Sequence, residues 1–199
     1  MKKSILAGLL IAISSNSCVS TSSPNLSLTG SIYDDKSYFP VYDSHTKSYN
    51  VIQDFMTNLT IATTAIDPEF NEAFSKRYEE IYKEPHDLVS DIDKKAAYFI
   101  SIYSPDRKVK KVQSAHVWNI YLNVDGKRIK ARSYKRMRPK DKWKYFFPTI
   151  TFWTNEYLVV FDLPGTQTKE QRLKNELVMA GPKGQISFKL PDAALEEKN

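Results

Sequence analysis

Cysteine is almost missing from this chain, since Cys18 is the only one among 199 residues. A single cysteine excludes an intramolecular disulfide and any zinc site built on several thiolates. The three histidines, His45, His86 and His116, are far apart in sequence and form no paired metal-ligand motif. Nucleophile-elbow, Walker A and dinucleotide-binding glycine patterns are missing too. The sequence therefore predicts no catalytic residue, no metal ligand and no cofactor, and we interpret the chain as a non-enzyme.

Glycine is also scarce, at six residues, whereas aromatic residues make up 13% of the chain and include twelve tyrosines. Aromatic enrichment with little glycine favours pleated, half-buried strands. It excludes a disordered chain, which would lack aromatic residues. The length is enough for one domain with a proper hydrophobic core and too short for two comfortable ones.

The longest apolar run at the N-terminus covers only nine residues, 5–13, and it follows the basic start Met1-Lys2-Lys3. Nine residues fall well short of the roughly 20 that a membrane-spanning helix needs. Small and polar residues at positions 14–17 come directly before Cys18. These features predict a secretory signal peptide over residues 1–17, with a basic start, a short apolar run and small residues at the cleavage site.

The position of Cys18 directly after the predicted cleavage site resembles the bacterial lipoprotein signal, in which the cysteine is lipidated and becomes the first mature residue. Ser17 matches the small residue expected before the cysteine, while Ser15 stands where leucine is typical. The resemblance implies a cell-envelope protein anchored to a membrane through acyl chains such as palmitate. Val19, in place of an aspartate, favours the outer membrane in a bacterium with two membranes. The alternative is ordinary cleavage with Ser15 and Ser17 as the small residues, giving a soluble periplasmic or secreted protein.

The remaining sequence divides into three parts. Residues 18–30 are rich in serine and threonine and poor in charge, which predicts a flexible tether after the lipidated cysteine. Residues 31–191 contain the apolar patterns of a single β-rich domain, and residues 192–199 form a loose charged tail. Strands are predicted at 31–33, 39–42, 51–65, 96–103, 147–153, 157–162, 177–180 and 185–190, with 51–65 broken or bent near Asn58.

One helix is predicted from Pro68, with Asp67 as its cap and aromatic residues at three- and four-residue spacing after it. Many short strands with a single helix predict an antiparallel β-sandwich with one inserted α-helix. An immunoglobulin-like sandwich is the finer hypothesis, and a partly closed barrel is the alternative.

A hairpin is predicted over residues 113–137, because Asp125-Gly126 suits a two-residue turn with positive φ at both positions. This turn would pair Val124 with Lys127 and Leu122 with Ile129 on an apolar face. Continued further, it would pair Ile120 with Ala131, Asn119 with Arg132 and Trp118 with Ser133. The turn register and the hydrophobic register agree.

The opposite face of the hairpin would carry a row of cations about 7 Å apart, with Tyr121 beside it. The predicted binding residues are Tyr121, Arg128, Lys130, Arg132, Arg136 and Arg138. The stretch from Arg107 to Lys144 contains fourteen basic and two acidic residues, a net charge of +12, although the whole chain is only +6. The rest of the chain is therefore acidic by six charges, and the basic character is concentrated in one stretch.

Two interpretations of this basic stretch remain open. It could be a solvated sheet face that blunts an exposed strand. It could also bind an anionic partner, such as anionic lipid, lipopolysaccharide, a wall polymer or an acidic envelope protein. Nucleic acid is disfavoured because the signal peptide directs the chain out of the cytoplasm. The predicted function is a non-catalytic envelope binding or scaffolding module, and the alternative is a periplasmic hydrolase or ligand-processing enzyme, which would need a concave pocket with convergent polar groups.

Two aromatic segments, 143–148 and 152–153, could line a sugar-binding platform. The competing interpretation is hydrophobic core, because Phe147, Thr149, Thr151 and Trp153 alternate as in a strand. The alternation favours the core.

Overall fold

The computed structural model describes residues 35–53, 56–182 and 184–189. The predicted signal peptide, Cys18, the tether, the strand at 31–33 and the tail at 192–199 lie outside these residues. Within them, no helix combines the length and the apolar character that crossing a bilayer requires.

Two antiparallel sheets dominate the described residues. The first is ordered β1-β2-β3-β7-β6, and its strands are β1 (Thr46–Gln53), β2 (Met56–Ile66), β3 (Lys95–Tyr103), β6 (Ser133–Arg136) and β7 (Asn155–Asp162). The second is ordered β5-β4-β8-β9, and its strands are β4 (Asn119–Val124), β5 (Lys127–Lys130), β8 (Glu176–Gly181) and β9 (Gly184–Lys189). The predicted antiparallel β-sandwich is confirmed, and an immunoglobulin-like arrangement stays a prediction.

Two hydrophobic clusters form the core, one on each side of the five-stranded sheet. The inner cluster joins the two sheets and includes Ile61, Ile100, Leu122, Val159 and Leu177, all almost fully buried. The outer cluster is largely aromatic and lies between the five-stranded sheet and the helices. The five-stranded sheet is therefore the middle layer, and its outer face is where helices and loops are placed.

The helices of the described residues are α1 (Phe39–His45), α2 (Pro68–Tyr82), α3 (Lys140–Trp143) and α4 (Lys169–Leu173), with a 3₁₀ turn at Ile92–Lys94. The predicted helix is confirmed as α2, and its cap is the predicted residue, because Asp67 accepts a hydrogen bond from the amide of Phe70. The three short helices were not predicted.

Two predicted strands are wrong, and a third is divided at a different position. Residues 39–42 begin helix α1, because Asp35 accepts hydrogen bonds from the amides of Ser37 and Tyr38 and starts the turn, with Pro40 in the first turn of the helix. The segment 51–65 is a strand over most of its length, as predicted, but it is divided between β1, which ends at Gln53, and β2, which begins at Met56, and Asn58 lies within β2. Residues 147–153 form an irregular loop instead of a strand.

The basic hairpin is confirmed only near its turn. Asp125 and Gly126 both have positive φ, and strand pairing follows the predicted register from Val124–Lys127 to Tyr121–Lys130. Beyond Lys130 the prediction is wrong. Ala131 packs against the inner core, and the amide of Arg132 donates to the carbonyl of Val160 in the other sheet. The chain thus crosses between sheets, as sandwich corners often do, and β6 joins the five-stranded sheet.

Candidate functional site

The outer face of the five-stranded sheet is divided into two halves with different chemistry. Thr64, Phe99 and Leu158 are aligned across β2, β3 and β7, and this row is buried beneath the helices. Two residues further along, the aligned row is Ala62, Ser101 and Glu156. A step of about 7 Å therefore separates a large aromatic side chain from small and polar ones on the same face.

We call the aromatic part the closed half, since the helices cover it. The ring of Phe147 is stacked on that of Phe99, with centroids 3.7 Å apart and planes 8° apart. Phe70 and Phe74 of α2 contact Phe147 from above. The predicted core role of segment 143–148 is confirmed, because Trp143, Phe146 and Phe147 are buried in this cluster.

The other part, the open half, contains a groove of 590 Å³, which we call the hydroxyl groove. It is lined by Ser48, Thr57, Thr60, Ala62, Ser101, Tyr103, Thr149, Thr151, Trp153 and Thr154. Ala62 and Ser101 form part of its floor and are too small to fill the space that an aromatic residue fills in the closed half. The groove thus exists because small side chains occupy this part of the sheet face.

The loop 149–154, which we call the aromatic loop, forms one wall of the groove. It presents Phe152 and Trp153 to solvent at 80% and 65% exposure, so the predicted core role of this segment is wrong. Two threonines shape it. The amide of Thr151 donates to Oγ1 of Thr154 (2.9 Å), and the amide of Trp153 donates to Oγ1 of Thr151 (3.3 Å). Such side-chain hydrogen bonds favour a turn over a strand.

A buried ion pair holds the aromatic loop in place. Nζ of Lys140 lies 3.2 Å from Oε1 of Glu156, whose side chain is fully buried. The same ammonium donates to the carbonyls of Thr151 (2.8 Å) and Phe152 (3.1 Å) and contacts that of Thr154. Thr154 also donates its hydroxyl to Glu156 (2.6 Å). One lysine therefore fixes the backbone that carries the two exposed aromatic residues.

A second cavity of 600 Å³, which we call the basic cleft, adjoins the aromatic loop. Four of the residues that line it are cations, namely Arg107, Lys110, Arg138 and Lys140, and no lining residue is acidic. Nζ of Lys110 donates to the carbonyl of Trp153 (3.1 Å), so both lysines also support the loop. The guanidinium groups of Arg107 and Arg138 make no ion pair with any residue that the structure describes, and both residues are exposed.

The predicted binding residues are distributed over two separate surfaces. Arg138 lines the basic cleft, and Arg136 lies beside it, donating from Nη2 to Oδ1 of Asn155, another lining residue (2.8 Å). Arg132 lies at the sheet edge in an exposed ion pair with Asp162 at 2.9 Å. Such exposed pairs contribute little to stability.

The remaining predicted residues, Tyr121, Arg128 and Lys130, lie on the four-stranded sheet. The guanidinium of Arg128 is 4.8 Å from the centre of the Tyr121 ring, which it covers. The predicted row of Arg128, Lys130 and Arg132 is therefore wrong at Arg132, because the chain changes sheets after Lys130. The strand does not continue, so the extension of the row to Arg136 and Arg138 fails as well.

The groove and the cleft offer recognition groups rather than an acid–base pair. Neither is lined by an aspartate, a glutamate, a histidine or a cysteine. Hydroxyls, exposed aromatic rings and guanidinium groups suit the binding of a polar or anionic ligand.

One possible metal-binding group lies elsewhere, where ligand atoms of His45, Asp67 and Glu69 are within 4.8 Å of one another. Each is already bound to a protein partner. Nδ1 of His45 donates to the carbonyl of Val41 (2.7 Å), its Nε2 lies 3.2 Å from Asp67, and Glu69 pairs with Lys169 at 2.6 Å. These contacts join α1, α2 and α4 and give the group a structural role.

Sequence reasoning considered Trp153 for a sugar-binding platform but favoured the core, and it missed that Arg107, Lys110 and Lys140 belong to the same site. The three cations were visible as part of the +12 stretch, but their convergence depends on the crossing of the chain between sheets. A usable signal for Trp153 was the Thr151-x-x-Thr154 spacing, because two threonines three residues apart can close a turn on their own side chains.

Comparison with known proteins adds no family assignment at this point. No protein-family model, no curated protein and no solved structure matches this chain.

Proposed function

We propose that this protein is a non-catalytic lipoprotein of a bacterial cell envelope, which binds an anionic partner through the basic cleft. The observation that carries the proposal is the convergence of Arg107, Lys110 and Arg138 around one 600 Å³ cavity without an acidic lining residue. Lys140 also lines the cavity, but its charge is paired with Glu156. Clustered cations raise the local concentration of anions, and the planar guanidinium of arginine suits phosphate and carboxylate.

The cleft supports this proposal better than the hairpin face does. Arg107 and Arg138 are exposed in a concave site and form no ion pair in the described part of the chain. On the hairpin, Arg128 is already placed over Tyr121. A concave arrangement also lets several cations contact one anionic group at the same time, which a flat strand cannot do.

The binding test compares two variants with the same change in charge. Arg107→Glu with Arg138→Glu alters the cleft, and Arg128→Glu with Lys130→Glu alters the hairpin face. Polyphosphate, a polyanion without sugar, is the probe, titrated by calorimetry against the full chain at two salt concentrations. We expect the cleft variant to lose at least tenfold in affinity and the hairpin variant to stay within threefold. Equal losses, or no binding by the wild type, would contradict the proposal.

The anchoring part of the proposal is tested separately. Cells expressing the wild type or Cys18→Ala are fractionated, and the intact mass of the mature protein is measured. We expect the wild type in membranes with a lipid-sized mass increment and the variant in the soluble fraction. A wild-type protein that is soluble and cleaved near Ser17 would replace the anchor with ordinary secretion.

A further inference from the structure

The hydroxyl groove and the basic cleft are adjacent parts of one surface. They share three lining residues, Tyr103, Trp153 and Thr154. The aromatic loop stands between them, so a ligand that passes Trp153 contacts both. Each cavity alone lies within the range of about 300–1,000 Å³ that is typical of small-molecule sites. Together they are large enough for an elongated ligand with two chemically different parts.

The groove is uncharged and rich in hydroxyl groups. Seven of its ten lining residues are serine or threonine. In the described part of the chain, the hydroxyls of Ser48, Thr57 and Thr60 make no hydrogen bond, and all three residues are at least partly exposed. A hydroxyl group can both donate and accept. These groups therefore match a ligand that presents hydroxyls of its own.

Trp153 adds an aromatic face to the groove. The residue is 65% exposed, and its ring makes an edge-to-face contact with Phe152, with centroids 4.9 Å apart. Lys110 and Lys140 hold the loop backbone, so the ring is presented on a fixed turn rather than on a free chain. The negative face of an aromatic ring attracts the slightly positive C–H groups of a pyranose ring.

We infer that the groove and the cleft form one binding site for an anionic glycan. The sugar rings lie in the hydroxyl groove against Trp153, and a phosphate or carboxylate carried by the sugar lies between Arg107 and Arg138. This inference rests on the proposed function and adds the class of ligand. A lipid head group without sugar would leave the groove unused, and a neutral glycan would leave the cations unused.

Four probes separate the contributions of charge and sugar. Mannopentaose 6-phosphate and tetragalacturonate are anionic glycans bearing phosphate and carboxylate, respectively. Mannopentaose is the neutral counterpart of the first, and polyphosphate is the sugar-free anion. Trp153 fluorescence reports the site directly, because Trp118 and Trp143 are 3% and 6% exposed. We expect at least one anionic glycan to change Trp153 fluorescence and to bind at least tenfold more tightly than mannopentaose.

Two variants test the groove without changing the charge. Trp153→Ala removes an exposed ring, and Ala62→Leu extends a side chain into the groove from its floor. By calorimetry, each should weaken anionic-glycan binding at least tenfold. Ala62→Leu, which lies in the groove and not in the cleft, should also leave polyphosphate affinity within twofold. Tyr134→Ala, which removes a partly exposed ring on β6, is the matched control and should change neither. Thermal unfolding shows whether each variant is folded.

The possible failures are distinguishable. If polyphosphate binds at the cleft but neither anionic glycan exceeds mannopentaose, or if both groove variants bind glycan normally, the inference is wrong and the proposed function stands. If polyphosphate does not bind, the proposed function fails and the inference fails with it. Binding to anionic phospholipid vesicles that depends on Trp153, without any glycan binding, would also overturn the inference in favour of a lipid surface.

Discussion

The closed and open halves of the outer sheet face are built on the same strands, yet they serve different purposes. In the closed half, Phe99 of β3 is stacked on Phe147 beneath helix α2. In the open half, Ser101 of the same strand lies on the floor of a groove. A strand alternates its side chains between faces, so Phe99 and Ser101 are direct neighbours on one face. The large side chain of Phe99 therefore lies under the helix layer, and the small side chain of Ser101 leaves space for a cavity.

The charges of the two halves also differ. The cluster of the closed half is apolar, and the buried guanidinium of Arg77 is paired with Asp35 at 2.6 Å. Beside the open half, Arg107 and Arg138 face the basic cleft. Burial and internal pairing stabilise the fold, whereas exposed cations add little stability and are available to a ligand. Four predictions test this contrast, beginning with the largest expected effect.

Phe147→Ala should be the most damaging change. It removes the ring that contacts Phe99, Phe70 and Phe74, and such truncations cost about 3–5 kcal/mol. The free energy of unfolding is measured by urea titration. Ser48→Ala in the open half is the control and should stay within about 0.5 kcal/mol. Similar costs for both variants would contradict the division into two halves.

Lys140→Met should cost about 3 kcal/mol, because it leaves Glu156 fully buried without its cation. The double variant Lys140→Met with Glu156→Leu removes both charges and should recover much of that loss. Urea titrations of the wild type, the two single variants and the double variant form a double-mutant cycle. A coupling energy near zero would show that the ion pair does not hold the aromatic loop.

Ala97→Leu and Ala62→Leu compare space in the two halves with the same substitution. Ala97 lies in the closed half, where added methyl groups should overpack the aromatic cluster and cost about 1–3 kcal/mol. Ala62 lines the groove, which has room for the larger side chain, so its cost should be below about 1 kcal/mol. Urea titration measures the loss of unfolding free energy in each variant, and the two losses are compared. A larger cost at Ala62 would mean that the groove is already filled.

His45 should make stability depend on pH through the closed half. Burial by itself would lower the pKa of His45, but the hydrogen bond and charge of Asp67 outweigh burial and raise it above 6.5. Burial by itself would raise the pKa of Asp67, but the hydrogen bond and charge of His45 outweigh burial and lower it below 3.8. The stabilisation from a raised histidine pKa is lost as pH rises through the folded value. The stabilisation from a lowered aspartate pKa is lost as pH falls through the pKa of the aspartate in the folded protein.

The advantage of the wild type over His45→Gln in unfolding free energy should therefore be greatest between about pH 4 and pH 6.5. It should shrink on either side of that window. Urea titrations across the pH range measure it, and Ser48→Ala, which leaves the pair intact, should show the pH profile of the wild type. An advantage that grows above pH 7 would show that His45 is neutral in the folded protein.

The sequence predicted local features well where one signal decided the outcome. Asp67 and Pro68 begin helix α2 because the cap and the fixed φ act within one turn. Asp125-Gly126 sets the hairpin register because both positions adopt positive φ. Strands β3, β7, β8 and β9 were found because their apolar and turn patterns are local as well.

The features that were missed depend on distant partners. Nothing near Ala131 indicates that the next strand, β6, pairs with β7 in the other sheet. The alternation at 147–153 is that of a strand, but Lys140 and Glu156 bind the loop and Thr154 closes its turn. Because the basic cleft joins cations from separate segments, only the stretch of charge was predictable, and the position of the cleft was not.

The most direct test of the central claim, that the open half and its cleft are the binding surface, is backbone amide NMR of the full chain titrated with mannopentaose 6-phosphate. We expect the shifted amides to lie in the aromatic loop and around Arg107, Ser101 and Arg138. Shifts confined to the hairpin from Tyr121 to Lys130 would place binding on the other sheet and contradict it.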